Sequence, residues 1–220
     1  MMVKFLLDYF FNFGILNIQK GCMSLNQYFV NNNDLKSEVR VIKYNYGSHC
    51  YEFLSDNGVF SKNKIDFGSI ILLETYLKSR GNIQSFLDVG CGYGFLSIVL
   101  AKELGITGMG IDVNLRALDL AKDNAKLNQV SVSFKESNIY ENVTDSYDLI
   151  ITNPPIRAGK KVVLNILLEA KEYLHSNGEL WAVIRKDQGA KSIIKEISDT
   201  YIVEIKEKNK GFYVFCLKKY

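Results

Sequence analysis

Three clusters in this chain carry residue types that do chemistry. The first is Asp88-Val89-Gly90-Cys91-Gly92-Tyr93-Gly94. Alternating glycines let a backbone approach a ligand closely and reach conformations that side chains forbid. A helix beginning there adds unpaired N–H donors. The spacing departs from the dinucleotide fingerprint G-x-G-x-x-G. The third glycine comes one residue early, and Phe95 stands in its place. No pyrophosphate need be cradled, and Asp88, just before the glycines, fits a cofactor with a cationic amino group. The second cluster is a single carboxylate, Asp112, about 20 residues beyond the glycines. It closes the run Gly108-Met109-Gly110-Ile111. A carboxylate there accepts from two ribose hydroxyls; its plain structural role is a cap for a helix starting near Leu115. Turn and acid together point to an adenosine-containing cofactor.

The third cluster is Asn153-Pro154-Pro155, which holds the only two prolines of the chain. Two prolines fix φ twice and remove two N–H donors, and proline keeps the preceding residue out of the helical region. The plain reading is a strand-terminating turn. The chemical reading is a stiff strand exit that fixes the Asn153 side chain relative to the Pro154 carbonyl. An amino group on a nucleobase, or an amide nitrogen, is a poor nucleophile because its lone pair is delocalised. Two fixed acceptors can take its N–H bonds and turn the lone pair toward an incoming group. Positioning and preorganised polarity then carry the rate without a strong base.

The elements that must hold these clusters follow a strand–helix rhythm from Gln84 onward. Apolar runs at 85–90, 108–112, 130–134, 147–153 and 179–184 read as strands, with helices at 95–104, 117–128, 162–174 and 189–198 between them. The runs at 201–207 and 213–219 close as a hairpin around Lys208-Asn209-Lys210-Gly211. This predicts an α/β fold: a doubly wound, mostly parallel seven-stranded sheet with an antiparallel C-terminal strand. Ahead of it, residues 67–78 place apolar side chains at helical spacing. Residues 38–61 alternate in strand fashion around two turns and predict a small β-meander. Residues 1–22 read as an N-terminal extension, leaving 23–66 as a small segment that closes over the cofactor and 67–220 as the main domain.

The motifs at 88–94, at 112 and at 152–155 resemble those of class I S-adenosylmethionine-dependent methyltransferases that modify exocyclic or amide nitrogens. The runs GVFSKNKIDFGS at 58–69 and TNPPIRAGKK at 152–161 more specifically resemble the small-subunit ribosomal RNA guanine-N2 methyltransferases and their shorter relatives. The resemblance covers about residues 25–220. It implies S-adenosyl-L-methionine as cofactor, with Asp88, Gly90, Cys91, Gly92 and Gly94 at its methionine end. It implies Asp112, with Val113 beside it, at the ribose. Asn138 falls where relatives often carry Asp for the adenine amino group, and an amide oxygen can accept that bond. Asn153, Pro154 and Pro155 would hold the target amine, Asn153 also touching the cofactor. Ile156 stands where many such enzymes have an aromatic residue to stack the target base. Phe60, Ser61 and Asp66 would close over the cofactor; their plain roles are a strand and a helix cap. The longer relatives have a second N-terminal methyltransferase-like domain, and none is read in this chain.

Arg157, Lys160 and Lys161 follow the proline pair, and Arg185 and Lys186 follow the strand at 179–184. These two basic clusters are expected at one sheet edge, where they can bind phosphates around a target nucleotide. The stretch 206–210 reads as a solvated hairpin turn. Partners are therefore expected to be ribosomal RNA or the small subunit. A guanine inside a helix must be unstacked to reach Asn153.

Composition narrows the classes. The chain is 47% hydrophobic with a net charge of +3, ordinary for a globular protein of one domain. The apolar stretch 1–18 is shorter than the ~20 residues of a membrane span, and Asp8 interrupts it. Neither its four cysteines nor its two histidines are spaced as metal ligands, so no metal, no membrane and reduced thiols in the cytoplasm are expected. Other classes remain in view. A protein glutamine methyltransferase also uses Asn-Pro-Pro but prefers an aromatic after it and lacks the basic run. A nicotinamide oxidoreductase fits poorly with the misplaced glycine and the lack of a catalytic His or Tyr–Lys pair. An inert RNA-binding module fits poorly with an intact Asn153-Pro154-Pro155.

Overall fold

The computed structural model describes residues 35–79 and 81–220. The expected extension at 1–22, and residues 23–34, lie outside the described residues. Two strands, β1 (Arg40–Tyr46) and β2 (His49–Ser55), form a hairpin, followed by helix α1 (Phe67–Ser79). Then come β3 (Phe86–Val89), α2 (Phe95–Leu104), β4 (Gly108–Asp112), α3 (Leu115–Leu127), β5 (Val132–Glu136) and β6 (Tyr147–Thr152). The chain closes with α4 (Lys160–Glu169), β7 (Leu174–Arg185), α5 (Ala190–Ile197), β8 (Tyr201–Asn209) and β9 (Phe212–Lys219).

The large sheet has seven strands in the order β5-β4-β3-β6-β7-β9-β8. The pairs β4–β5, β3–β4, β3–β6 and β6–β7 are parallel. β9 runs antiparallel to both neighbours, inserted between β7 and β8. The order reverses between β3 and β6, the switch point where such sheets open a crevice at their C-terminal edge. Both faces of the sheet are covered, so strand side chains alternate between two apolar cores. Leu149, Ile151, Trp181 and Val183 face one core with α1, α2 and the hairpin; Ile150, Leu180, Ala182 and Ile184 face the other.

Two expectations are corrected. The meander is a two-stranded hairpin: residues 57–63 form turns. Gly58 (φ +83°) and Ser61 (φ +55°) are left-handed there, which breaks an extended run. A third strand also has no edge to join. β1 occupies one side of β2, and two asparagines of α3 occupy the other. The Leu54 N–H donates to Asn124 Oδ1 and Asn124 Nδ2 donates back to the Leu54 carbonyl, at 2.6 and 3.0 Å. Asn128 repeats the pattern at Glu52. The helix expected at 162–174 ends at Glu169. Carbonyls near its end are taken by tyrosine hydroxyls, Ile166 by Tyr140 and Leu167 by Tyr201, and Leu174 already pairs with Tyr147 in the sheet.

Candidate active site

The three clusters meet at the C-terminal edge of β3, β4 and β6. The glycine turn leaves β3 with Gly90, Gly92 and Gly94 all at positive φ. It is anchored to the next strand: the Gly90 and Cys91 N–H groups donate to the Ile111 carbonyl at 2.8 and 3.0 Å. A Cβ added at Gly90 or Gly92 would meet nothing within 4 Å. The backbone there faces open space that a ligand can fill. Gly94 instead packs against Ile98, Ala121 and Phe134, and Cys91 is buried.

Asp88 is fully buried. Its Oδ2 accepts from the Ser97 N–H and hydroxyl at 3.1 and 2.6 Å. Its Oδ1 takes no hydrogen bond among the described residues. Burial pushes its carboxyl up to about 7, against the Ser97 hydrogen bonds and with help from the negative charge of Asp112. Asp112 Oδ2 accepts from the Gly92 N–H at 2.8 Å and Oδ1 from the Asn114 N–H at 2.9 Å. Burial raises its carboxyl too, partly offset by these backbone donors. Two partly desolvated carboxylates, one with an orphaned oxygen, suit a ligand bearing positive charge and hydroxyl donors. The residues present therefore fit S-adenosylmethionine. Val113 is half-buried beside Asp112, and Asn138 is exposed just past β5, bonded to Glu141 at 2.8 Å. Asp112 is not the cap of α3; Asn114 is, its side chain accepting from the Ala117 N–H at 3.2 Å.

The segment carrying Phe60 and Asp66 spans the mouth of this crevice. At one end Asn114 Nδ2 donates to the Gly58 carbonyl at 2.9 Å, and Arg116 donates to the Asn57 and Leu35 carbonyls. At the other end Asp66 caps α1, accepting from the Ser69 N–H at 3.0 Å. Phe60 lies between, 48% exposed. Because Asn114 both caps α3 and ties this segment down, Asn114→Ala is expected to lower stability by about 1–3 kcal/mol. The check is a lower urea midpoint at unchanged slope.

Beyond β6, Asn153 is held from two sides. Its Nδ2 donates to Asp66 Oδ2 at 2.9 Å and to Ser69 Oγ at 2.8 Å. A carboxylate only accepts, so the nitrogen must face Asp66 and the amide orientation is set. Thr152 secures the strand end by donating to the Val89 carbonyl at 2.8 Å. The Pro155 carbonyl is spent on the Ala158 N–H at 2.9 Å; the Pro154 carbonyl takes no backbone partner among the described residues. Ile156 is half-buried and packs toward the core beside α4. Ser69, which ends the 58–69 run but carries no role in the sequence reading, joins the site through this bond.

The basic residues divide. Arg157, Lys161 and Lys186 are exposed near this edge. Lys160 is engaged by Glu196 and by Ser192, and Arg185 pairs with Asp187 at 3.0 Å. A groove of about 910 Å³ bounded by Asn82, Asp148 and His175 lies at the opposite strand ends, remote from this chemistry. Among the described residues no three His, Cys, Asp or Glu side chains gather as a metal site requires, and no helix is long and apolar enough to cross a membrane.

The strand order, the glycine turn and the carboxylate at the end of β4 are those of an S-adenosylmethionine-dependent methyltransferase of the Rossmann-like class. Residues 50–216 match the methyltransferase small domain family, and the chain belongs to it. It is 39% identical over 197 residues to the uncharacterized protein YbxB of Bacillus subtilis, covering 87% of this chain and 98% of that one. A Methanocaldococcus jannaschii protein named "Putative protein N5-glutamine methyltransferase MJ0928" is 36% identical over 118 residues, 54% of this chain and 53% of the relative. In structure the chain is similar to the T. thermophilus 16S rRNA N2 methyltransferase RsmC, solved with AdoMet and guanosine. The TM-score is 0.73 at 25% identity, over 84% of this chain and 52% of that one. The chain thus spans about half the length of each of these two named methyltransferases.

Proposed function

We propose that this chain methylates the exocyclic N2 amine of a guanine in small-subunit ribosomal RNA. The observation that carries the reading is the Asn153 amide. Both its N–H bonds are spent on Asp66 and Ser69, so only its oxygen is left to accept from a target amine. The likeness to an rRNA N2 methyltransferase supports guanine as the base. S-adenosylmethionine, when bound, supplies an electrophilic methyl group on a cationic sulfur. Asp88, Asp112 with Val113 beside it, and the open backbone at Gly90 and Gly92 would hold it, with Asn138 toward the adenine. Asn153 Oδ1 and the Pro154 carbonyl would accept the two N–H bonds of the amine and aim its lone pair. The same two oxygens stabilise the positive charge that grows on nitrogen, and they need no reorganisation to do so. Arg157, Lys161 and Lys186 would hold flanking phosphates. A ribosomal substrate places the reaction in the cytoplasm.

A second reading, a protein glutamine methyltransferase, is favoured by the archaeal relative and uses the same two acceptors on an amide. One experiment separates them. The protein is incubated with radiolabelled S-adenosylmethionine and undermethylated small subunits, free RNA or total protein. N2-methylguanosine after nuclease digestion supports the RNA reading; label confined to protein overturns it.

A further inference from the structure

The edge that carries Asn153 also carries a cluster of rings and cations that the methyl transfer does not use. β7 ends at Arg185, which pairs in register with Phe212 at the start of β9. The Arg185 guanidinium lies 5.4 Å over the Phe212 ring. Phe212 meets Phe67 of α1 edge to face, with centroids 5.7 Å apart. The Lys210 ammonium lies 4.8 Å over the Phe67 ring. The Lys186 N–H donates to the Gly211 carbonyl at 2.7 Å, which ties the β8–β9 turn to the end of β7.

One glycine sets this cluster against the candidate active site. A Cβ on Gly68 would come within 2.9 Å of both the Phe212 ring and Asp66 Oδ2. That same oxygen holds Asn153 Nδ2. Ring, carboxylate and amide therefore crowd around the first turn of α1. Glycine in a helix gives up about 1 kcal/mol relative to alanine; here its missing side chain lets the ring sit beside the amide. The rings are half-buried, while Arg185 and Lys210 are exposed; the Arg185–Asp187 pair at 3.0 Å is itself solvent-exposed, a weak contact that a phosphate can replace.

Each cation covers one face of its ring, so a base stacks on the Arg185 guanidinium plane or takes the place of the flexible cation as that cation turns to a phosphate; rings layered with cations in this way match a nucleotide, which pairs a π-face with a phosphate. We propose that Phe212 and Phe67, with Arg185 and Lys210, form the stacking and phosphate-binding surface for nucleotides at the target base, in place of the aromatic residue that Ile156 does not supply. This rests on the RNA reading, since a glutamine side chain offers neither a π-face nor a phosphate.

The test is equilibrium binding of a labelled single-stranded RNA of about ten nucleotides, with kinetics on an unmodified small-subunit rRNA transcript. Phe212→Leu is expected to raise the RNA Kd and KM about fivefold or more, with cofactor affinity unchanged. Phe212→Tyr restores both. Arg185→Gln and Lys210→Gln each lower the slope of log affinity against log salt by about 0.7. If Phe212→Leu binds and methylates RNA like the parent while the parent is active on RNA, this inference falls and the RNA reading stands. Equal losses in the Leu and Tyr variants, with a lowered melting temperature, make the ring structural and also overturn it. A parent protein that neither binds nor methylates RNA removes the RNA reading and this inference together.

Discussion

Asn153→Ala is expected to lower kcat on RNA by about 10²–10³-fold, the scale seen when one preorganised polar partner is lost from a reacting centre. Cofactor affinity should change little, because Asp88, Asp112 and the glycine turn remain. The argument is sharper for a polarity exchange. Asn153 donates to Asp66 Oδ2, so Asn153→Asp sets one carboxylate against another and turns the acceptor out of place. It should be as impaired as the alanine variant. Adding Asp66→Asn restores a donor between the two positions, at the expense of the cap on α1, because Asp66 Oδ2 is the atom that accepts from both Asn153 and the Ser69 N–H. The double variant should therefore recover at least about tenfold over Asn153→Asp, roughly the 1.4 kcal/mol expected of a charge-assisted hydrogen bond regained. Single-turnover rates at saturating cofactor measure this directly. A double variant no better than the single one would show that the Asp66 contact does not orient the amide.

The parts of this site that sequence makes legible are those whose partners are close along the chain. The glycine turn is one, because strand, turn and helix follow one another without a break between Phe86 and Leu104. The helix expected at 95–104 is observed at Phe95–Leu104, since apolar residues fill it and a left-handed Gly105 stops it. The strand–helix alternation likewise gives the sheet, whose buried strands read as continuous apolar runs. The illegible parts depend on contacts across long separations. Asp66 reads as a helix cap, and it is one. Nothing near it in sequence announces that its other neighbour is Asn153. The run at 58–61 has a strand-like alternation, but only the fold shows that Asn124 and Asn128 occupy the edge it would need. Phe212 follows a lysine-rich turn that reads as solvated surface; its partner Phe67 lies on a different element, at the far end of the sequence reading. Lys160 reads as a phosphate ligand, whereas α5 brings Glu196 to it.

Asp88 leads to the second large effect, on cofactor binding and its pH dependence. Burial pushes its carboxyl up to about 7, against an ordinary value near 4. Between those values the folded protein holds a proton that the unfolded chain has released. Stability from this group therefore falls as pH rises from about 4 to about 7, by about 4 kcal/mol at most. A cationic ligand reverses the preference, because it stabilises the ionised carboxylate. Binding must then release a proton wherever Asp88 begins protonated. Affinity for S-adenosylmethionine is expected to rise roughly tenfold between pH 6 and pH 7.5. Asp88→Asn keeps an oxygen that can accept from Ser97 but removes the titration and the charge. Its affinity should be flat over that range and about ten- to a hundredfold weaker at pH 7.5, the effect of losing a hydrogen bond to a charged partner. Isothermal titration in buffers of different ionisation enthalpy reads affinity and proton release together. Proton release that persists in Asp88→Asn would move the titrating group elsewhere, with Asp112, whose carboxyl is also raised by burial, as the next to replace. A flat profile in the parent protein would mean that Asp88 stays ionised without the cofactor, and its orphaned oxygen would then need a partner other than the cation.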